Sequence, residues 1–253
     1  MIGSDVNGCL DTASISVQVD QLPNVVASSA FNSICLGDSV LISASGALNY
    51  QWGNGVQISN QYVSPTTIGN NSFIVTGSDV NSCSNSDTVN ILVNSLPIAQ
   101  VSASDTNICI NDTITLLSSA ASNYQWNNGS TSQSQTLILG NAGTIIFTVT
   151  IFDNNSCSAT DSVIVNVNNN PTISVSANNN NICIGESVTL SATGAINYLW
   201  DNGVTSSTQV ITPSTSAILT YSVVGTDINS CSANAQVNIT VNPLPNTGPI
   251  FHN

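Results

Sequence analysis

Seven cysteines are the residues of this chain best equipped for covalent chemistry, and they recur at one spacing. Cys35, Cys109 and Cys183 stand 74 residues apart, as do Cys9, Cys83, Cys157 and Cys231. Such rigid spacing, with His252 the single histidine, reads as disulfide chemistry in an oxidising compartment. No two cysteines are close enough in sequence to form a CxxC zinc pair. Carboxylates offer a second chemistry. Asp-x-Asn recurs at Asp5, Asp79, Asp153 and Asp227, each in a turn that ends on a cysteine. Oxygen ligands suit Ca²⁺, which makes Asp79, Asp153 and Asp227 candidate calcium ligands. Each turn holds only one or two carboxylates and lacks EF-hand spacing, so the competing reading is a hairpin closed by Asx hydrogen bonds. Asp38, Asp112 and Glu186 read as turn residues in the same way. Trp52, Trp126 and Trp200 form a third set, as sugar-stacking platforms or as buried core residues sharing a face with Tyr50, Tyr124 and Tyr198.

Enzymatic chemistry is not expected. One tail histidine, scattered aspartates and no cation leave no base beside a nucleophile and nothing to stabilise an oxyanion. Lysine plus arginine is zero against 13 acidic residues, a net charge of −13. That excludes the cationic contacts which nucleic acids and basic membrane-surface helices require. It also excludes lysine–asparagine isopeptide cross-links and removes every trypsin site. No apolar run approaches the ~18 residues that span a bilayer, so membrane insertion is not expected. Apolar content of 41%, arranged in alternation, argues for a folded β protein over a disordered polar chain.

The period organises the rest. Pro23, Pro97, Pro171 and Pro245 mark seams 74 residues apart. They divide the chain into modules 23–96, 97–170 and 171–244. Residues 1–22 read as the end of a preceding module, and 245–253 as a linker or the start of another. Residues 1–20 lack a basic, apolar leader, and Gly3–Cys9 matches Gly77–Cys83, so the chain is expected to begin in mid-module. Within 171–244 the apolar residues alternate with period two: Ile173, Val175, Ala177; Val188, Leu190, Ala192; Tyr198, Trp200; Leu219, Tyr221, Val223; Val237, Ile239, Val241. Strands are expected at 172–177 with a short continuation at 181–184, then at 187–192 and 197–200. A polar return strand follows, then strands at 208–212, 219–224 and 236–241. Asn202-Gly203 marks a tight turn and recurs as Asn54-Gly55 and Asn128-Gly129. Short alternating strands without any helical period make a two-sheet antiparallel sandwich.

Those residues carry a family resemblance. Ile182-Cys183-Ile184-Gly185-Glu186-Ser187-Val188-Thr189-Leu190 resembles the turn into strand B of immunoglobulin-like domains, and Tyr198-x-Trp200 their strand C. Tyr221 to Cys231 resembles the F strand and F–G turn of Ig-like and PKD-like repeats. Such repeats occur in tandem in very large secreted surface adhesins of gliding bacteria, exported by the type IX system. The resemblance covers all three modules. It implies an all-β fold of tandem immunoglobulin-like antiparallel β-sandwiches in a linear array, at the bacterial cell surface. It carries over no catalytic residue, and a chain wholly without lysine and arginine is extreme for that family.

In an A-B-C-C′-E-F-G sandwich the A–B turn and the F–G turn lie at opposite ends, about 20 Å apart along strand B. A disulfide needs Cα atoms within about 7 Å. Bonds between modules, Cys35–Cys157 and Cys109–Cys231, are therefore preferred over bonds within them, Cys35–Cys83, Cys109–Cys157 and Cys183–Cys231, which stay open should one strand crossing differ from this order. The between-module pattern leaves Cys9, Cys83 and Cys183 to partners outside the chain; the within-module pattern leaves only Cys9.

Leu244-Pro245-Asn246-Thr247-Gly248 matches a sortase signal, but Leu22-Pro23 and Leu96-Pro97 show that Leu-Pro belongs to the repeat. Asn70, Asn111, Asn128 and Asn238 lie in glycosylation sequons, as chance provides in a chain so rich in asparagine, serine and threonine. The expected function is structural: an extracellular filament or adhesin stalk giving reach and resistance to pulling and proteolysis. Its expected partners are neighbouring repeats, with lateral or end-to-end self-assembly. The alternative is an adhesin module that binds surface glycans through loops. No cofactor is expected, calcium aside.

Overall fold

The computed structural model describes residues 1–246 and Gly248. It is all-β. An N-terminal hairpin of β1 (Ile2–Ser4) and β2 (Leu10–Thr12) precedes three sandwiches of seven strands each. The first comprises β3 (Val26–Ser29), β4 (Ser33–Cys35), β5 (Val40–Ser45), β6 (Asn49–Trp52), β7 (Asn60–Val63), β8 (Gly69–Ser78) and β9 (Ser84–Asn94). The second comprises β10 (Val101–Ala103), β11 (Asn107–Cys109), β12 (Thr113–Ser118), β13 (Asn123–Trp126), β14 (Ser134–Ile138), β15 (Gly143–Phe152) and β16 (Ser158–Asn168). The third comprises β17 (Ser174–Ala177), β18 (Asn181–Cys183), β19 (Val188–Thr193), β20 (Asn197–Trp200), β21 (Thr208–Ile211), β22 (Ala217–Thr226) and β23 (Ser232–Asn242). By contacts the chain forms two compact units, Met1–Pro97 with Phe152–Ser158, and Ile98–Ile151 with Ala159–Asn253.

Each sandwich has a three-stranded sheet, ordered β3-β5-β7 in the first, and a four-stranded one, ordered β4-β9-β8-β6. This is an immunoglobulin/fibronectin-like arrangement. The expected first strand and its short continuation part company. β3 runs antiparallel to β5, whereas β4 crosses over and pairs parallel with β9, setting Cys35 opposite Asn94. The Asn94 side chain fixes the crossing by donating to Ser33 Oγ (2.7 Å) and the Ile34 carbonyl (3.3 Å). Cys109 lies opposite Asn168 and Cys183 opposite Asn242 in the same way.

The polar return strand expected after Trp200 is not formed. Gly203 N–H donates to the Trp200 carbonyl (2.9 Å) and Trp200 N–H to the Val204 carbonyl (2.8 Å), which closes a turn. The loop backbone beyond it is engaged by the indole, with Trp200 Nε1 donating to the Ser206 carbonyl at 2.9 Å. The chain therefore crosses directly to β21, which pairs with β19. Trp52 and Trp126 hold the Ile58 and Ser132 carbonyls likewise.

The inward positions of alternating strands make each core: Val40, Ile42, Trp52, Val75, Ile91 and Val93 in the first. A carboxylate ties the first strand to the opposite sheet in two modules. Asp87 Oδ2 accepts from Ala27 N–H at 2.7 Å and Asp161 Oδ2 from Val101 N–H at 2.9 Å; the third module has Ala235 there. The hydrogen bonds from Ala27 and then Thr88 hold the Asp87 carboxyl below its ordinary value. With no cation available, outer faces rely on neutral cross-strand pairs such as Thr76–Ser86 (2.9 Å), Thr150–Thr160 (3.0 Å) and Thr220–Asn238 (2.8 Å).

Core volume is exchanged between two positions of the repeat. A Cβ on Gly77 would come within 2.6 Å of Ala47 Cβ and 2.7 Å of Val25 Cγ2, and one on Gly225 within 2.4 Å of Ile173 Cδ1 and 2.8 Å of Ala195 Cβ. In the second module the same positions hold Ile151, fully buried, and the small Ala99. Gly77→Ile is therefore expected to destabilise by about 1–3 kcal/mol through overpacking, and Val25→Ala in the same chain to restore part of that loss, Ala47 Cβ remaining close. A double-mutant cycle by thermal or denaturant unfolding measures the coupling; additive losses would refute it.

Candidate functional site

The cysteines sit at the two ends of each sandwich, and each is held by a carboxylate. At the hairpin tip between β8 and β9, Asp79 Oδ1 accepts from Asn81 N–H and Cys83 N–H (both 2.9 Å), while Asp79 N–H donates to the Cys83 carbonyl (3.0 Å). Asp5, Asp153 and Asp227 make the same contacts with Cys9, Cys157 and Cys231. At the other end Cys35 N–H donates to Asp38 Oδ2 (3.1 Å), Cys109 N–H to Asp112 Oδ2 (2.9 Å) and Cys183 N–H to Glu186 Oε2 (2.8 Å). The acid's own N–H returns to the cysteine carbonyl in all three. The three candidate calcium ligands thus each close their own hairpin. No group of three or more His, Cys, Asp or Glu side chains able to hold a metal exists among the described residues.

The structure joins Cys35 to Cys157 and Cys109 to Cys231, each with a Cα separation of 5.5 Å and a sequence separation of 122. Each bond lies inside one compact unit: Cys35–Cys157 in the first, to which the tip Phe152–Ser158 belongs, and Cys109–Cys231 in the second. The within-module pairs Cys35–Cys83, Cys109–Cys157 and Cys183–Cys231 are not made. Parallel pairing puts Cys35 at the Asn94 end of β9, whereas Cys83 adjoins Ser84 at the other. Eleven residues of strand, roughly 35 Å, lie between two atoms that must approach within about 7 Å. Cys9, Cys83 and Cys183 carry free thiols.

Both turn types need left-handed backbone. At the end beside β4, β11 and β18 it is supplied by Gly37 (φ 97°), Asn111 (φ 68°) and Gly185 (φ 83°). At the tips it falls on Gly8, and on Ser82, Ser156 and Ser230 with φ between 64° and 66°. A Cβ in that region costs about 1–2 kcal/mol, so three tips hold strain next to the cysteine. The tryptophans are 1–2% exposed and their faces are closed to ligands. His252 and Thr247 lie outside the described residues.

No protein-family model matches the chain, and no curated protein matches it. Solved structures resemble it. One is the Ca²⁺-stabilized adhesin reported to help an Antarctic bacterium reach out and bind ice. It is 12% identical, covers 95% of this chain and 80% of its own, and has a TM-score of 0.40. A three-immunoglobulin segment of titin is 11% identical over 89% of this chain and 100% of its own, at a TM-score of 0.38. The Clostridium thermocellum CbhA fibronectin(III)-like modules are 13% identical over 57% of this chain and 95% of theirs, at 0.32. Identity this low transfers no residue roles, and the immunoglobulin-like class rests on the strand order itself.

Asp153→Ala strips two N–H groups of their acceptor and is expected to cost about 1–2 kcal/mol at that tip. Cys35–Cys157 should then be reduced about tenfold faster relative to Cys109–Cys231 in the same molecule, read by timed alkylation and mass spectrometry of peptic peptides. Ser156→Gly should shift the ratio the other way. An unchanged ratio in both variants would show that the tip does not hold the cysteine.

Proposed function

We propose that the chain is a load-bearing segment of an extracellular stalk or filament, of the kind that displays an adhesin tip at a bacterial surface. The observation that carries this reading is the overlap of the two disulfide loops. Cys35–Cys157 and Cys109–Cys231 interleave, so no linker between the modules bears tension alone. The covalent path from Cys35 to Cys231 shortens from 196 residues to the 48 between Cys109 and Cys157. Disulfides are characteristic of oxidising compartments, which supports an extracellular place. No helix among the described residues is long and apolar enough to cross a membrane. A chain without lysine or arginine resists trypsin-like proteases. Secretion by the type IX route and membership of a gliding-type adhesin remain part of this proposal, on the resemblance of the repeat. So does assembly with neighbouring repeats or copies.

The stalk is tested by pulling single molecules from their termini. With disulfides closed, the segment between Cys35 and Cys231 should extend to about 170 Å, and after reduction to about 700 Å, at ~3.6 Å per residue. Equal extension with and without reductant would refute the load-bearing role.

A second reading, glycan binding, is favoured by one feature of the first module. Tyr62 is 72% exposed and Phe31 68% exposed. Tyr62 lies beside Leu41, whose carbonyl accepts from Ala30 N–H, next to Phe31. The equivalent row in the second module is polar, Ser104, Thr115 and Thr136; the third has Asn178, Thr189 and Val210. An aromatic surface confined to one copy is what a recognition site in an otherwise uniform stalk requires. Glycan-array binding that is lost in Tyr62→Ser, with unfolding unchanged, would establish it; no binding by the parent chain would dismiss it.

A further inference from the structure

Two joints are closed in this chain and three cysteines stand open, Cys9 and Cys83 on hairpin tips and Cys183 at a parallel-strand end. Cys83 occupies on the β8–β9 tip the place that Cys157 and Cys231 occupy on theirs, 74 and 148 residues on. Cys183 occupies beside β18 the place of Cys35 beside β4 and Cys109 beside β11. Both closed joints obey one rule. A cysteine at the parallel-strand end bonds a hairpin-tip cysteine 122 residues later, never one of its own kind. On the tips alone burial separates closed from open, since Cys35, Cys109 and Cys183 at the other end are all partly exposed. Cys157 and Cys231 are 0% exposed, whereas Cys83, on the same kind of tip, is partly exposed with a free thiol.

We infer that Cys183 and Cys83 are the two halves of a directional covalent joint that links successive copies of this array, Cys183 of one to Cys83 of the next. The inference rests on the joint reading of the cysteines above and adds to it a partner and a polarity. Unlike halves make a heterologous contact, so copies add head to tail with one polarity, in an open chain unless the rotation between copies closes a ring. Bond formation needs a disulfide oxidant of low molecular weight. The Cys83 thiolate attacks one of its sulfurs and expels one thiol, leaving a mixed disulfide. The Cys183 thiolate of the second copy then attacks Cys83 Sγ and expels the second thiol. Two protein thiols lose two protons and two electrons, and one small disulfide is reduced to two thiols. A further module in the same chain would present the same tip chemistry to Cys183 as a second copy does. Cys9, on a tip of the same construction, competes with Cys83.

The test uses the full chain with Cys9→Ser, incubated with oxidised and reduced glutathione, sized under non-reducing conditions and mapped with pepsin. A ladder of oligomers is expected, containing a Cys83–Cys183 peptide. Adding Cys83→Ser or Cys183→Ser should leave each variant monomeric, and an equal mixture of the two should give a dimer. Duplicating residues 171–244 in tandem should close Cys183 onto the added tip within one chain, which separates the two sources of the partner thiol. Cys83–Cys83 or Cys183–Cys183 peptides would overturn the inference. So would monomers whose thiols react with maleimide while Cys35–Cys157 and Cys109–Cys231 stay intact. Absence of those two peptides from the same digest would instead overturn the joint reading together with the inference.

Discussion

The parallel pairing of a three-residue strand with the last strand of its own sandwich is the constraint from which the rest follows. β4, β11 and β18 each leave the sheet of the preceding strand and lie along the far end of β9, β16 and β23. That crossing carries one cysteine to the end of the sandwich opposite the hairpin tip that carries the other. The turn into β5 already lies at the end opposite the hairpin tip, and the parallel pairing fixes the cysteine there against the last strand. Each module is therefore bipolar, with unlike thiols at its two ends. A bond that geometry forbids within a module becomes available between successive ones.

Charge in this protein does local work. Thirteen acids face no lysine or arginine, so no carboxylate has a cationic side chain to pair with. Instead the carboxylates accept backbone N–H groups: at hairpin tips, at turns beside the parallel strands, and at the clamp of Asp87 on Ala27. A hydrogen bond to an ionised acceptor is roughly twice as strong as a neutral one, and short turns with left-handed residues need that support. Asp79, Asp153 and Asp227 use Oδ1 to hold the backbone of the cysteine at their tip.

Small modules bury little core, and a staple is a common supplement. Here staple and core vary independently. The disulfide positions are invariant across copies, while the core trades volume between Val25, Ala99 or Ile173 and Gly77, Ile151 or Gly225. The exposed face varies too, with Tyr62 and Phe31 in one copy where the others are mostly polar. The cysteine positions are therefore what the copies hold in common, and the outer face is what distinguishes them.

Much of this was legible from residue order alone. Period-two alternation placed β19, β20, β22 and β23 because one face of each strand must be apolar. Asn-Gly marked the turns after the tryptophans because those turns need left-handed backbone. The exchange between Gly77 with Val25 and Ile151 with Ala99 is also written in the copies, though residue order alone does not say that the two positions touch. The sheet to which β4, β11 and β18 belong was not legible. Three residues carry too little alternation to choose between a neighbour before and one after, and the choice depends on where the Asn94, Asn168 and Asn242 amides reach. The missing return strand was hidden for a similar reason: the indole N–H of Trp200 holds the loop backbone that a ladder would have used. Sequence therefore determined the repeat, the strands and the two cysteine series. Strand-end distance already favoured the pairs between modules; tertiary structure decided between them and the pairs within modules, because the choice turns on which sheet the short strand joins and not on spacing along the chain.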